Sequence, residues 1–172
     1  YKSAAGTHPQ RRHHPANPSS LNHNSVSCLL KDKMGRLWVG TEEGIDLYNA
    51  DMDSFIHVMK SENAVSALLE SSDSTIWAGT TQGIFVYSEK SGRFQRGSFT
   101  EDRSAKPFDH SAFAINVFKE YDERYVIAGT WEGVLLVIDR KRNTIRPVTG
   151  RENGLEINHI SSIETDGNKN IW

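Results

Sequence analysis

Histidine is the residue that first suggests chemistry in this sequence, at His8, His13, His14, His23, His57, His110 and His159. A zinc site wants imidazoles at a fixed spacing on one face, with a carboxylate or thiolate completing the set. No two of these histidines stand four apart on an apolar helical pattern, so they read as solvated or turn residues, and no metal is expected. The single cysteine, Cys28, can form neither an internal disulfide nor a thiolate cage. No Gly-x-Ser-x-Gly elbow and no phosphate-cradling glycine loop is present, so neither nucleophilic catalysis nor a bound cofactor is expected.

What the chain does repeat is a structural unit. It has 172 residues, enough for one ordinary domain with a sizeable core, and a formal net charge of −2. A nearly neutral chain offers no long-range field for drawing in nucleic acid or an anionic membrane. No apolar run approaches the roughly 20 residues that a membrane span needs. The first twenty residues are polar and rich in His and Pro, unlike a signal peptide. Both the cytoplasm and the periplasm remain open.

Leu37-Trp38-Val39-Gly40-Thr41 returns as Ile76-Trp77-Ala78-Gly79-Thr80 and again as Val126-Ile127-Ala128-Gly129-Thr130; Ile171-Trp172 opens a fourth copy. Fourteen residues upstream of Trp38, Trp77, Ile127 and Trp172 stand Asn24, Asn63, Phe113 and Asn158. From these anchors four segments align without a gap: 24–29, 63–68, 113–118 and 158–163. Cys28 then falls in a column with Ala67, Val117 and Ser162, a small packing position. Internal repeats of this length are the first thing to establish about a fold.

Each unit predicts four strands. The first is Val26 to Lys31, Val65 to Glu70, Ile115 to Glu120 or Ile160 to Thr165. A turn rich in Asp, Ser and Gly follows, then the Trp-x-Gly-Thr strand, then a short loop ending in Gly44, Gly83 or Gly133. The third strand is Ile45 to Tyr48, Ile84 to Tyr87 or Val134 to Ile138; the fourth is Phe55 to Met59, Phe94 to Arg96 or Ile145 to Val148. Nearly continuous apolar runs such as 134–138 suit strands buried on both faces. Four strands per repeat of about 40–45 residues point to an all-β fold, a β-propeller of four-stranded antiparallel blades. Motif residues Trp38, Gly40, Thr41, Trp77, Gly79, Thr80, Gly129, Thr130 and Trp172 are expected to serve close packing between blades.

The organisation expected is therefore three complete blades and two partial ones. Residues 1–14 read as the last strand of a preceding blade and 15–23 as a linker. Blades occupy 24–59, 63–99 and 113–149, a long inter-blade loop occupies 100–112, and 158–172 begins a further blade. Propellers usually close with 4–8 blades, so the remaining ones are expected on sequence outside this chain.

The segment Ala16-Asn17-Pro18-Ser19-Ser20-Leu21-Asn22-His23-Asn24-Ser25-Val26, followed by Asp32-x-x-Gly35-Arg36-Leu37-Trp38-Val39-Gly40-Thr41-Glu42-Glu43-Gly44, resembles the two-component regulator propeller repeat. The likeness is strongest over 16–48 and 61–87 and weakens at 113–138, where Phe113 replaces Asn and Ile127 replaces Trp. The resemblance implies the periplasmic sensor region of a hybrid two-component system anchored in the inner membrane. It further implies an oligosaccharide ligand, a homodimer of the full-length protein, and a histidine kinase module outside this chain. No kinase or receiver motif occurs here, and this chain is not expected to be an enzyme.

Propeller ligands usually meet the loops joining second to third strands and those joining blades. Here these carry Glu42, Gln82, Trp131 and Glu132, with Arg103 and His110 in the long insertion. Trp131 is the most informative, because its counterparts Glu42 and Thr81 show that the blade needs no aromatic there. An exposed Trp beside a carboxylate can stack on a sugar ring while the carboxylate accepts its hydroxyls. The alternative is that Trp131 covers the gap left by Ile127. Two other functions compete: a protein-interaction platform, and a sialidase-like hydrolase suggested by the Ser71-Ser72-Asp73-Ser74-Thr75-Ile76-Trp77 turn. That turn lacks the glycine of the sialidase pattern and is structural even there.

Overall fold

Each Trp-x-Gly-Thr segment lies as the second strand of an antiparallel sheet, flanked by the strands the repeat demands. These are features of a computed structural model that describes residues 11–60, 62–101, 109, 113–148 and 158–172. The first sheet holds β1 (Val26–Lys31), β2 (Leu37–Thr41), β3 (Gly44–Asn49) and β4 (Ser54–Lys60) in that order. The second holds β5 (Val65–Glu70), β6 (Ile76–Thr80), β7 (Gly83–Ser88) and β8 (Arg93–Arg96). After β9 (Thr100–Glu101) come β10 (Ile115–Glu120), β11 (Tyr125–Thr130), β12 (Leu135–Asp139) and β13 (Thr144–Val148). No helix occurs among the described residues.

First strands of successive blades lie side by side, β1 on β5 and β5 on β10, so they form the inner edge of the arc. Their pairing with the second strand slips at one place in every blade, between Val26 and Cys28, Val65 and Ala67, and Ile115 and Val117. The residue inside the slip is polar: Ser27, Ser66 or Asn116. A bulge re-aims its side chain. Ser27 Oγ donates to the Val65 carbonyl, and Asn116 Nδ2 donates to the Ile160 carbonyl at 2.8 Å, each in the next blade.

The core sits between blades. Trp38 is fully buried against Tyr87 and Phe94 of the second blade, both edge-on. Its indole N–H donates to Asp32 Oδ2 at 2.9 Å, as Trp77 Nε1 does to Ser71 Oγ at 2.9 Å. Where Ile127 replaces the Trp, Tyr121 replaces the acceptor, so no buried polar atom is stranded. Gly40, Gly79 and Gly129 let strands approach: a Cβ on Gly79 would lie 2.6 Å from Ile115 Cγ2, and one on Gly129 2.5 Å from Ile160 Cγ2. Thr41 and Thr80 close the next turn, each buried hydroxyl donating to the carbonyl of Gly44 or Gly83. Gly44, Gly83 and Gly133 have φ of 134°, 98° and 75°, a region that favours glycine.

The structure departs from the sequence expectations in places. Thr100 and Glu101, expected in a loop, form β9, a parallel fifth strand on the outer edge of β13. The connector thus climbs the rim of the third blade, and Phe99 stacks on Trp77 with centroids 6.1 Å apart. The reason is visible in the partners. Where the second blade offers Tyr87 and Phe94 to Trp38, the third offers Ile138 and Ile145. Phe99 supplies a stacked ring in their place, beside Phe118 of β10, whose ring is tilted at 6.5 Å from Trp77. The strand expected at Ile160 to Thr165 shows one bridge, Thr165 to Ile171, with Glu164 and Trp172 exchanging backbone hydrogen bonds beside it. Arg11–His14 form no strand, while the rest of the segment read as an earlier blade's strand lies outside the described residues.

Candidate functional site

The turns after the second strands and the segments entering the first strands meet at one end of the arc. Backbone bonds fix this: Glu42 donates its N–H to the Ser25 carbonyl, Thr81 to Ala64, and Trp131 to Ala114. Glu42, Gln82, Trp131 and Glu132 therefore share that end. Arg103 and His110 lie outside the described residues.

Trp131 is 52% exposed, and its ring meets His159 with centroids 4.2 Å apart and planes tilted by 52°. The neighbouring Glu132 carboxylate accepts the Ala114 N–H at 3.3 Å, which ties the turn to the blade's entry strand. Trp131 does not line the cavity of about 300 Å³ at Ile127, which is walled by Tyr121, Tyr125, Val137, Arg146 and Ile171. The gap and the exposed Trp are separate features. Together Trp131 and His159 form an aromatic ledge from two successive blades, with a carboxylate beside it.

Glu42 accepts from Ser25 Oγ at 2.9 Å and has His23 Nδ1 at 3.7 Å. Gln82 is held by its backbone: its N–H donates to Thr80 Oγ1 and its carbonyl accepts from Arg96 Nη1 at 2.7 Å. Its amide side chain is exposed. Glu42 and Glu43 also rim a cleft of about 840 Å³ between the segment entering the first blade and that blade's own outer strands. Neither Gln82 nor Trp131 reaches this cleft, so the predicted residues share a face but not a single cavity.

Sequence reasoning passed over the deep wall of this cleft. Behind His57, Asp46 is fully buried; one of its oxygens is 2.6 Å from His57 Nδ1 and the other accepts the Asn22 N–H at 2.7 Å. The available signal was a carboxylate inside an apolar strand, Ile45-Asp46-Leu47. Among the described residues no three His, Cys, Asp or Glu side chains are grouped as a metal site requires.

The opposite end of the blades is a set of clamps. Lys33 donates to the Ser71 and Ser72 carbonyls, Glu120 accepts from Ser72, and Lys119 pairs with Glu164 at 2.6 Å. Arg140, 6% exposed in its side chain, bonds Glu120 at 2.8 Å and lies 3.0 Å from Asp73. These contacts join each blade to the next.

Residues 20–43 match the family model described as a two component regulator propeller. The extracellular domain of a hybrid two component system from B. thetaiotaomicron is similar in structure, with a TM-score of 0.71 at 21% identity. That match covers 90% of this chain and 21% of the other. A second such domain from the same organism gives 0.60 at 17% identity, over 94% of this chain and 27% of that one. PorZ, a surface component of the type-IX secretion system of Porphyromonas gingivalis, gives 0.66 at 14% identity, covering 83% and 23%. The chain thus spans about a fifth to a quarter of these structures, and the likeness is one of fold. No curated protein matches the sequence. Residues 20–43 thus match a two component regulator propeller repeat and lie in an arc of four-stranded blades like those of β-propellers.

Proposed function

We propose that this chain is a ligand-reading part of the extracytoplasmic region of a hybrid two-component sensor, and that its ligand is an oligosaccharide. The observation that carries the reading is the Trp131–His159 ledge beside Glu132, an exposed aromatic at a position the blade does not need for packing. Sugar rings present an apolar face for stacking and a rim of hydroxyls for carboxylates and amides. Glu42 and Gln82, at the same end of the neighbouring blades, extend the polar surface. The repeat family and the kind of protein in which similar folds occur support the sensor context. In this reading the chain binds and does not catalyse. It acts from the periplasm in an inner-membrane protein, as a homodimer with further blades, and passes its signal to a kinase module outside this chain.

The experiment is a glycan array followed by calorimetry on wild type and Trp131→Ala. Losing one stacking contact should weaken binding about tenfold, equivalent to about 1.4 kcal/mol, while the melting temperature stays put. A large drop in melting temperature with unchanged affinity would assign Trp131 to packing and remove the basis of the reading.

A further inference from the structure

Blade one carries a buried carboxylate that its sister blades do without. Opposite Val39, Ala78 and Ala128 on the neighbouring strands stand Asp46, Phe85 and Leu136. The fold therefore accepts an apolar residue at this position in two of three blades. Burying an Asp there is costly unless its oxygens are engaged, and both are: one by His57, one by the Asn22 amide. The Asp46 bond occupies Nδ1 and leaves Nε2 as the ring's second polar atom, held in place by the carboxylate behind it. No described residue engages it, and His57 lines the cleft of about 840 Å³.

The rest of the wall decides what this nitrogen would meet. Lys60, Asn17, Asn22 and the histidines His13, His14 and His23 line the same cleft, with Glu42, Glu43 and Glu62. A wall that mixes donors and acceptors suits hydroxyl groups, which do both, and three carboxylates against one lysine oppose an acidic ligand. The volume is that of an ordinary small-ligand site.

We propose that this cleft is a second subsite that takes a neutral, hydroxyl-rich sugar unit, with His57 Nε2 hydrogen-bonded to one hydroxyl and Lys60 donating to another. The proposal rests on the reading of the chain as an oligosaccharide binder and adds both a place and a charge preference. It also gives Asp46 a role in positioning: through it, a ligand on His57 is linked to the Asn22 amide, and so to the segment that seats the first blade.

The test is a calorimetric and NMR titration of the full chain with maltotriose, cellotriose and chitotriose as neutral probes and trigalacturonate as the acidic one. A neutral trisaccharide should move the His57 ring resonances and the acidic one should not. His57→Asn retains a donor toward Asp46 but removes the Nε2 polar atom; it should weaken that binding at least about fivefold at unchanged melting temperature. Lys60→Met should act in the same direction. Binding that responds to Trp131→Ala but neither moves His57 nor responds to His57→Asn would overturn the second subsite and leave the proposed function standing. Trigalacturonate binding at His57 would overturn the charge preference and with it the proposal. Failure of every probe at both places would overturn the two readings together.

Discussion

Gly79→Ala adds a single methyl group at the tightest point between the second and third blades. Gly79 is not among the residues with positive φ, so the backbone itself accepts alanine, and the cost is steric. The new Cβ would lie 2.6 Å from Ile115 Cγ2 and 3.0 Å from both Ile115 Cβ and Phe118 Cε2. Carbon pairs are comfortable at about 3.5–4.0 Å, so the blades must part by about 1 Å. Ile115 is fully buried and β-branched, with little rotamer freedom to yield. Overpacking of this kind costs about 2–3 kcal/mol. Urea denaturation followed by tryptophan fluorescence measures it, with Gly35→Ala as the control for backbone strain. Gly35 has φ of 82° and open space around its Cβ, so that variant should lose only about 1 kcal/mol. The decisive comparison is Gly79→Ala combined with Ile115→Ala. Ile115→Ala alone should cost about 2–5 kcal/mol, and the pair should fall short of the sum by more than about 1 kcal/mol. Additivity within about 0.5 kcal/mol would refute the idea that Gly79 exists to admit Ile115.

Asp32→Asn should destabilise by about 2 kcal/mol, read by chemical denaturation, because the carboxylate receives Trp38 Nε1 and both the amide and Nε of Arg36. Burial pulls the Asp32 carboxyl upward, but these bonds outweigh it and hold it below the usual range. Its folded value is thus below its unfolded one, so its contribution is present above about pH 4. That contribution is lost as pH falls through the folded value, and an acid titration of Asp32→Asn should show a shallower decline than wild type. Phe99→Ala should quench-expose Trp77, raising its acrylamide accessibility while leaving Trp38 unchanged. Glu164→Gln should change stability by less than about 0.5 kcal/mol, since the Lys119 pair is exposed; thermal melts would show a larger effect at once.

The blade architecture was legible because packing between blades imposes the same demand at each interface. A Gly that a neighbour's Val65, Ile115 or Ile160 must approach cannot vary, and it holds the 14-residue spacing in step. The polar column at Ser27, Ser66 and Asn116 was visible in the alignment, but its bulge was not, since register slips leave no mark in residue type alone. β9 was missed because two residues pairing in parallel with a strand some forty positions away have no local signature. The exposed Trp131 followed from a comparison of blades. Asp46 and His57 did not stand out, because what marks them is the contrast with Phe85 and Leu136, and that alignment requires the strand pairing.

Phe99 has a bearing on how such arcs diversify. It precedes the third blade in the chain, yet it completes the environment of Trp77 in the second. A transplanted or duplicated third blade that began at Phe113 would leave Trp77 with the tilted ring of Phe118 but without its stacked partner, whereas one taken from Ser98 would bring both. The heritable module is therefore longer than the sheet. Recombination points between blades should be sought ahead of the insertion, near Gly97, where the chain leaves one blade and has not yet become part of the next.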